Sequence, residues 1–242
     1  MRAGKNAGFS LVELSISVLI IGMLVGGTLG GMRIVKQGKL KRLHTQISEA
    51  IQGASVFSEK FDALPGDMKN AYARLGSSCA GGSAAHCNGN GDGRIGYKDF
   101  DAETYMAWAH MRLADVYPGA YTGEAGSEPG VNVPEAALPS SALRWRYESI
   151  SAFNDINVGN VLMVTSLDGN YANGAASAKD AYVIDAKFDD GLPTSGDVMG
   201  FYGTATTDGA HCFSGTYVGG DAAYLASQET LPGCVLLFKT PF

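Results

Sequence analysis

Residues Asn88 to Asp99 form the stretch whose side-chain types and spacing prescribe a chemistry most directly. Oxygen-bearing side chains stand at its first, third, fifth and twelfth positions (Asn88, Asn90, Asp92 and Asp99), glycine at the sixth (Gly93) and an aliphatic residue at the eighth (Ile95). A hard cation needs six or more oxygens, and this spacing turns alternate side chains inward around a sharp bend at the glycine, as in an EF-hand calcium loop. Arg94 would add its backbone carbonyl, and Glu103, one helical turn beyond Asp99, could assist. Only Asp92 and Asp99 within the loop are anionic, and aspartate at the twelfth position reaches less far than glutamate. A calcium site here belongs in the weak class, about 10⁻⁴–10⁻³ M. The same residues also suit a plain Asn/Gly turn held by local side-chain hydrogen bonds. Asp185, Asp189 and Asp190, ahead of Gly191-Leu192-Pro193, pose the same choice, with the turn reading favoured.

The four cysteines fall into two sequence-local pairs, Cys79 with Cys87 and Cys212 with Cys234. An even count in an exported chain favours disulfides. Three connectivities are open, and local pairing is the expected one. A closed loop of about 20 residues stabilises by about 3 kcal/mol in the chain-entropy picture. His86 and His211 each precede a cysteine, but no CxxC spacing supports zinc. No GxSxG, HExxH or GxxxxGK[ST] pattern occurs, so no enzymatic activity is expected.

Glu13 is the remaining chemically awkward residue. Residues 1–8, MRAGKNAG, are basic and end in glycine, and Leu14 to Met32 follow as 19 positions without a charge. A run of that length spans a bilayer as a helix. A secretory signal peptide would close on an A-x-A-like site, whereas this run ends in GGTLGGM. A carboxylate inside an apolar span costs about 2.5–3.5 kcal/mol at a helix centre and less near the interface, so it calls for a partner. Cleavage after Gly8 would expose an α-amino group on Phe9, four residues before Glu13. In a bundle of packed helices that cation can pair with a neighbour's Glu13, in a low dielectric that strengthens the attraction.

The stretch Gly8-Phe9-Ser10-Leu11-Val12-Glu13-Leu14 resembles the type IV prepilin cleavage and methylation motif. The resemblance implies a prepilin peptidase that cuts after Gly8 and N-methylates Phe9, with Glu13 as the carboxylate that guides docking among subunits. It further implies partners that are copies of this chain or other pilins. The location it implies is the bacterial inner membrane, with one membrane pass and the head in the periplasm, then an extracellular filament or a periplasmic pseudopilus. Many pilins carry a proline in this helix; here Gly22, Gly26, Gly27, Gly30 and Gly31 stand instead. They weaken a helix by about 1 kcal/mol each but permit close packing.

The elements that would position these residues follow from periodicity. Leu40, Leu43, Ile47, Ala50, Ala54, Phe57 and Phe61 recur at spacings of three and four, one apolar face of a helix, and Leu64-Pro65-Gly66-Asp67 ends it. Residues 102–117 read as a second helix, in which His110 is a packed or surface residue, and residues 118–142 as a long loop. Strands are expected at Arg144–Ile150, Val158–Leu167, Ala181–Ala186, Val198–Tyr202, Cys212–Val218 and Cys234–Lys239. The expected organisation is a leader over 1–8, a transmembrane and assembly helix over 9–32, its amphipathic continuation over 33–63 and a globular head over 64–242. The fold class is α+β, a long N-terminal helix packed on an antiparallel sheet, which is also the pilin-like roll.

Composition narrows the function classes. Charged residues make up 17% and glycine contributes 33 residues, which suits an extracellular, loop-rich domain. The net charge of −6 argues against nucleic acid as a partner. Arg33, Lys36, Lys39, Lys41 and Arg42 cluster just past the apolar run, so the head is more acidic than the total. Three functions fit: a pilus subunit, a secretion pseudopilin or minor pilin, and a monomeric membrane-anchored adhesion module.

Overall fold

The computed structural model describes residues 10–76, 83–96, 102–126, 128–150, 156–167, 173–202, 212–215, 222–225 and 233–242. The chain divides into two compact units, Met1–Lys41 and Arg42–Phe242. Helix α1 covers Leu11–Phe61. Within the first unit its apolar side chains face outward: Leu14, Leu19, Leu24 and Ile34 are all more than half exposed.

In the second unit the rest of α1 buries the face that the 3–4 spacing marks, with Leu43, Ile47, Ala50, Ala54 and Phe57 all nearly inaccessible. Phe57 packs with Met68, Ala71, Cys87 and Ala114, so its partners are helical and loop residues, where the sequence pointed only to the sheet. A side chain at Gly53 would collide with the Val116 carbonyl at 2.8 Å. The helix ends at Phe61. Asp62 then takes a left-handed φ of 51° and donates its N–H to the Ser58 carbonyl, a C-terminal stop ahead of Pro65.

Two short helices follow, α2 (Ala71–Leu75) and α3 (Ala84–Cys87), and then α4 (Ala102–Leu113). The sequence pattern extends α4 to residue 117, but the chain leaves the helix at Ala114, and Asp115 sits at a φ of 58°. Strands β1 (Ser141–Ile150), β2 (Ile156–Ser166), β3 (Val198–Tyr202) and β6 (Cys234–Lys239) form an antiparallel sheet in the order β1-β2-β6-β3. Short strands β4 (Phe213–Ser214) and β5 (Ala223–Tyr224) pair separately. Of the strand expected over Cys212–Val218, only Phe213–Ser214 is strand; residues 216–218 lie outside the described residues.

One expected strand is a helix. Residues 181–186 lie in α5 (Ala178–Phe188). Ser177 caps it by accepting the Asp180 N–H, and Ala178, Ala181, Ile184 and Asp185 are buried on one face. The β-branched run at Val183-Ile184 suggests a strand; the cap and the 3–4 burial period decide for helix.

Both faces of the central strands are apolar. Val161, Met163, Met199, Val235 and Leu237 form one buried cluster. By alternation, Leu162, Val164, Leu236 and Phe238 lie on the other face. Uninterrupted apolar runs are the mark of strands covered on both sides. Trp145 of β1 meets Trp108 of α4, ring centroids 5.6 Å apart, and α5 packs on β3 and β6. The outer strands are also occupied. On β1, the Leu143 and Tyr147 N–H groups donate to the Pro134 and Ile95 carbonyls; on β3, Gly200 N–H donates to the Pro193 carbonyl.

Candidate functional site

The glycine-rich loop is built around carboxylates from outside it. Asp67, the last residue of the Leu64–Asp67 turn, accepts the Asp92 N–H (3.0 Å) and the Gly93 N–H (2.8 Å) through its two oxygens. Glu103, at the start of α4, accepts the Asn90 N–H (2.9 Å) and the Gly96 N–H (3.2 Å). Within the loop, Asn90 accepts the Asp92 N–H and Asp92 accepts the Arg94 N–H. Asn160 of β2 closes the far side, accepting the Ile95 N–H and donating to the Gly93 carbonyl.

Of the expected cation ligands, Asn90, Asp92, Arg94 and Glu103 are linked through hydrogen bonds to loop N–H groups. Asn88 does not join them, because its side-chain oxygen accepts the Tyr72 N–H at 2.9 Å. Asp67, which the sequence did not single out, holds the loop instead through the Asp92 and Gly93 N–H groups. Asp99 lies outside the described residues. Burial pushes Glu103 up to about 7, against the opposing pull of its two backbone donors, with Asp67 and Asp92 adding repulsion. Burial likewise raises Asp67. Backbone N–H groups occupy the Asp67 and Glu103 carboxylates, and Asp67, Asp92 and Glu103 do not converge within shared-ligand distance as Asp185, Asp189 and Asp190 do.

The turn that delivers Asp67 is fixed from α4. The Gly66 N–H donates to His110 Nδ1 at 2.9 Å, and His110 Nε2–H donates to the Cys87 carbonyl at 2.8 Å. Gly66 has a φ of +87°, and any β-carbon there would stand 2.5 Å from the Glu103 carbonyl oxygen, so only glycine fits. His110 is fully buried, and desolvation lowers it to about 4. Of the two alternatives the sequence left open, packed or surface, His110 is packed.

Asp185, Asp189 and Asp190 gather closely enough to share a cation, but backbone and hydroxyl donors hold each of them. Asp185 accepts from Gly191 N–H and Tyr224 Oη–H, Asp189 from the Asp197 and Val198 N–H groups, and Asp190 from Leu192 N–H and Ser195 Oγ–H. These bonds make the turn reading sufficient. Burial pushes Asp185 up to about 6. Cys212 and Cys234 form a disulfide. Cys87 is also disulfide-bonded; Cys79 lies outside the described residues.

At the other end of the chain, Gly8 and Phe9 lie outside the described residues. Ser10 caps α1: its Oγ accepts the Val12 N–H at 3.3 Å, and its carbonyl accepts the Leu14 N–H at 3.1 Å. Glu13 sits in the first turn and is exposed. No hydrogen bond or ion pair engages its carboxylate among the described residues. The long apolar exposed segment of α1 is sufficient in length and composition to cross a membrane.

Comparison with protein families matches residues 4–29 to the prokaryotic N-terminal methylation motif. In that segment the chain is similar to type IV pilins. Comparison with curated proteins and with solved structures finds no match. The pilin-like signal and the apolar helix together fit membrane anchoring, processing by prepilin peptidase and assembly with other pilins.

Ser10, Asp67 and His110 have structural roles that the sequence did not assign to them. Ser10 and Glu13 have the S-x-x-E spacing of a helix start, a signal available in the sequence. Asp67 has no local signal for its role, since its contacts lie 25 and 26 residues away. His110 reads as an ordinary helix residue until Gly66 and Cys87 are brought to it.

Proposed function

We propose that this chain is a structural subunit of a type IV pilus or pilus-like filament, cut after Gly8, N-methylated on Phe9 and docked through Glu13. The observation that carries the reading is Glu13: an exposed carboxylate with no partner among the described residues, in the first turn of an outward-facing apolar helix, inside the matched motif. As the third helical residue it also gains from the helix dipole, worth about 0.3–1 kcal/mol. That gain explains its tolerance at a helix start and leaves its charge available to a neighbouring amine. The occupied sheet edges support assembly through the helix instead of strand addition. The head is proposed to be periplasmic before assembly and non-catalytic.

Glu13→Ala tests the reading. Cells carrying it should lose filament incorporation at least about tenfold, the scale of an unmet charge pair in a low dielectric, while the head keeps its native melting temperature. Normal filaments from Glu13→Ala cells would exclude the docking role. Mass spectrometry of the native protein should show residues 1–8 absent and one methyl added on Phe9. A processed chain that never enters a filament, surface-exposed and monomeric, would favour the adhesion module. Incorporation only alongside a secretion apparatus would favour a pseudopilin or minor pilin.

A second proposal concerns calcium at the 88–99 loop, with Asp67 joining Asn90, Asp92, the Arg94 carbonyl and Glu103 as ligands. Calcium would neutralise carboxyl groups that burial holds above their usual range. Millimolar calcium should raise the melting temperature of the full chain relative to chelator, and Asp67→Asn should abolish the rise. No calcium-dependent rise in the unsubstituted chain leaves the loop as a carboxylate-stapled turn.

A further inference from the structure

The first unit ends in a run of cations. After Met32 come Arg33, Lys36, Lys39 and Lys41, and the first acid beyond Glu13 is Glu49. All lie in α1, and Lys36, Lys39 and Lys41 are exposed. At about 100° per residue, positions 33, 36, 39 and 41 fall near 0°, 300°, 240° and 80° around the helix. They cover more than half of the way round it. The 19 uncharged positions from Leu14 to Met32 are about 28 Å long at 1.5 Å per residue, close to the roughly 30 Å hydrocarbon layer. The cations therefore begin where the hydrocarbon ends and extend about 14 Å along the axis, within reach of headgroups by long, flexible side chains.

We propose that these four cations bind anionic phospholipid headgroups around the unassembled subunit. The inference rests on the membrane-anchored reading above. Two features favour lipid over a protein partner. A docked protein meets one side of a helix, whereas these charges spread over more than half of its circumference. They also adjoin an apolar segment exposed on every side, whose natural surroundings form an annulus. Each cation near such a surface favours anionic lipid by about fivefold at low salt.

The test reconstitutes the full chain into phosphatidylcholine vesicles, with and without phosphatidylglycerol, and measures by electron paramagnetic resonance how spin-labelled forms of the two lipids compete for the protein surface. Labelled phosphatidylglycerol should be preferred by about fivefold or more, and the preference should shrink as salt rises. The combined variant Arg33→Gln, Lys36→Gln, Lys39→Gln and Lys41→Gln should bring the ratio near one while still resisting alkaline extraction. Equal competition by an inserted wild-type chain overturns this inference and leaves the membrane reading standing. A preference that survives in the variant also overturns it. So does a variant whose only defect, in pure phosphatidylcholine, is lost association between copies, which would assign the cations to acidic heads of neighbours. A wild-type chain released by alkaline extraction removes the membrane reading and this inference with it.

Discussion

At the scale of single residues, this protein places ionisable groups where water cannot reach them and satisfies them with backbone donors. His110 is the clearest case, because its two ring nitrogens face one N–H and one carbonyl. That pairing needs the neutral ring, and burial lowers its pKa to about 4. An unfolded chain binds this proton near the ordinary histidine value of 6.5. The stability contribution is therefore complete above about 6.5 and is lost as pH falls through the window down to about 4, by about 3 kcal/mol in total. Nuclear magnetic resonance should find the His110 ring neutral, with its proton on Nε2, at pH 6. A midpoint near 6.5 would mean the turn at Gly66 is not held as described. Glu103 works in the opposite sense. Its folded value near 7 lies above the unfolded 4.5, so its contribution is present below about 4.5 and fades as pH rises through 7. The two slopes oppose each other across the same window, which makes the single-site titration the informative measurement.

Elements depend on small signals at their ends. Helix α5 carries a β-branched centre that reads as strand, yet Ser177 and Asp180 start a helix there and Ala178, Ala181, Ile184 and Asp185 give it a buried face. The helix in turn delivers Asp185 to Tyr224, with a bond of 2.7 Å. Ser177→Ala should cost about 1 kcal/mol, read as a lower denaturant midpoint with an unchanged slope. A neutral result would place the origin of α5 in packing alone. On β3, Gly200 leaves room for the Tyr224 ring, which would stand 2.7 Å from any β-carbon placed there. One buried carboxylate, one tyrosine and one glycine thus join a helix, a short hairpin strand and the main sheet.

For the whole molecule, charge distribution bears on orientation. Positive charge near a span favours the cytoplasmic side. The leader offers Arg2 and Lys5, against Arg33, Lys36, Lys39, Lys41 and Arg42 after the span. Charge alone would keep the head inside, so the proposed periplasmic head leans on the leader and on the machinery that reads it. Replacing Arg2 and Lys5 by glutamine should shift a C-terminal topology reporter toward the cytoplasm. An unchanged reporter would show that the two leader charges do not set orientation. If the cations after the span are occupied by anionic lipid, their weight in that balance is reduced, which links topology to membrane composition.

The sequence by itself determined what is local or periodic. The Gly8–Leu14 motif, the apolar span, the 3–4 face of α1 and the apolar runs of β2 and β6 are patterns that a few neighbouring residues contain, and backbone geometry converts them directly into elements. The spacing of Asn88–Asp99 marked the loop on the same basis. Tertiary structure decided what depends on residues far apart in the chain. It turned Asn88 toward Tyr72, brought Asp67 into the loop, buried Glu103 and aimed His110 at Gly66 and Cys87. It also made residues 178–188 a helix. Burial and hydrogen-bond satisfaction are properties of the assembled core. A carboxylate's partner 25 residues away leaves no mark on the sequence around it.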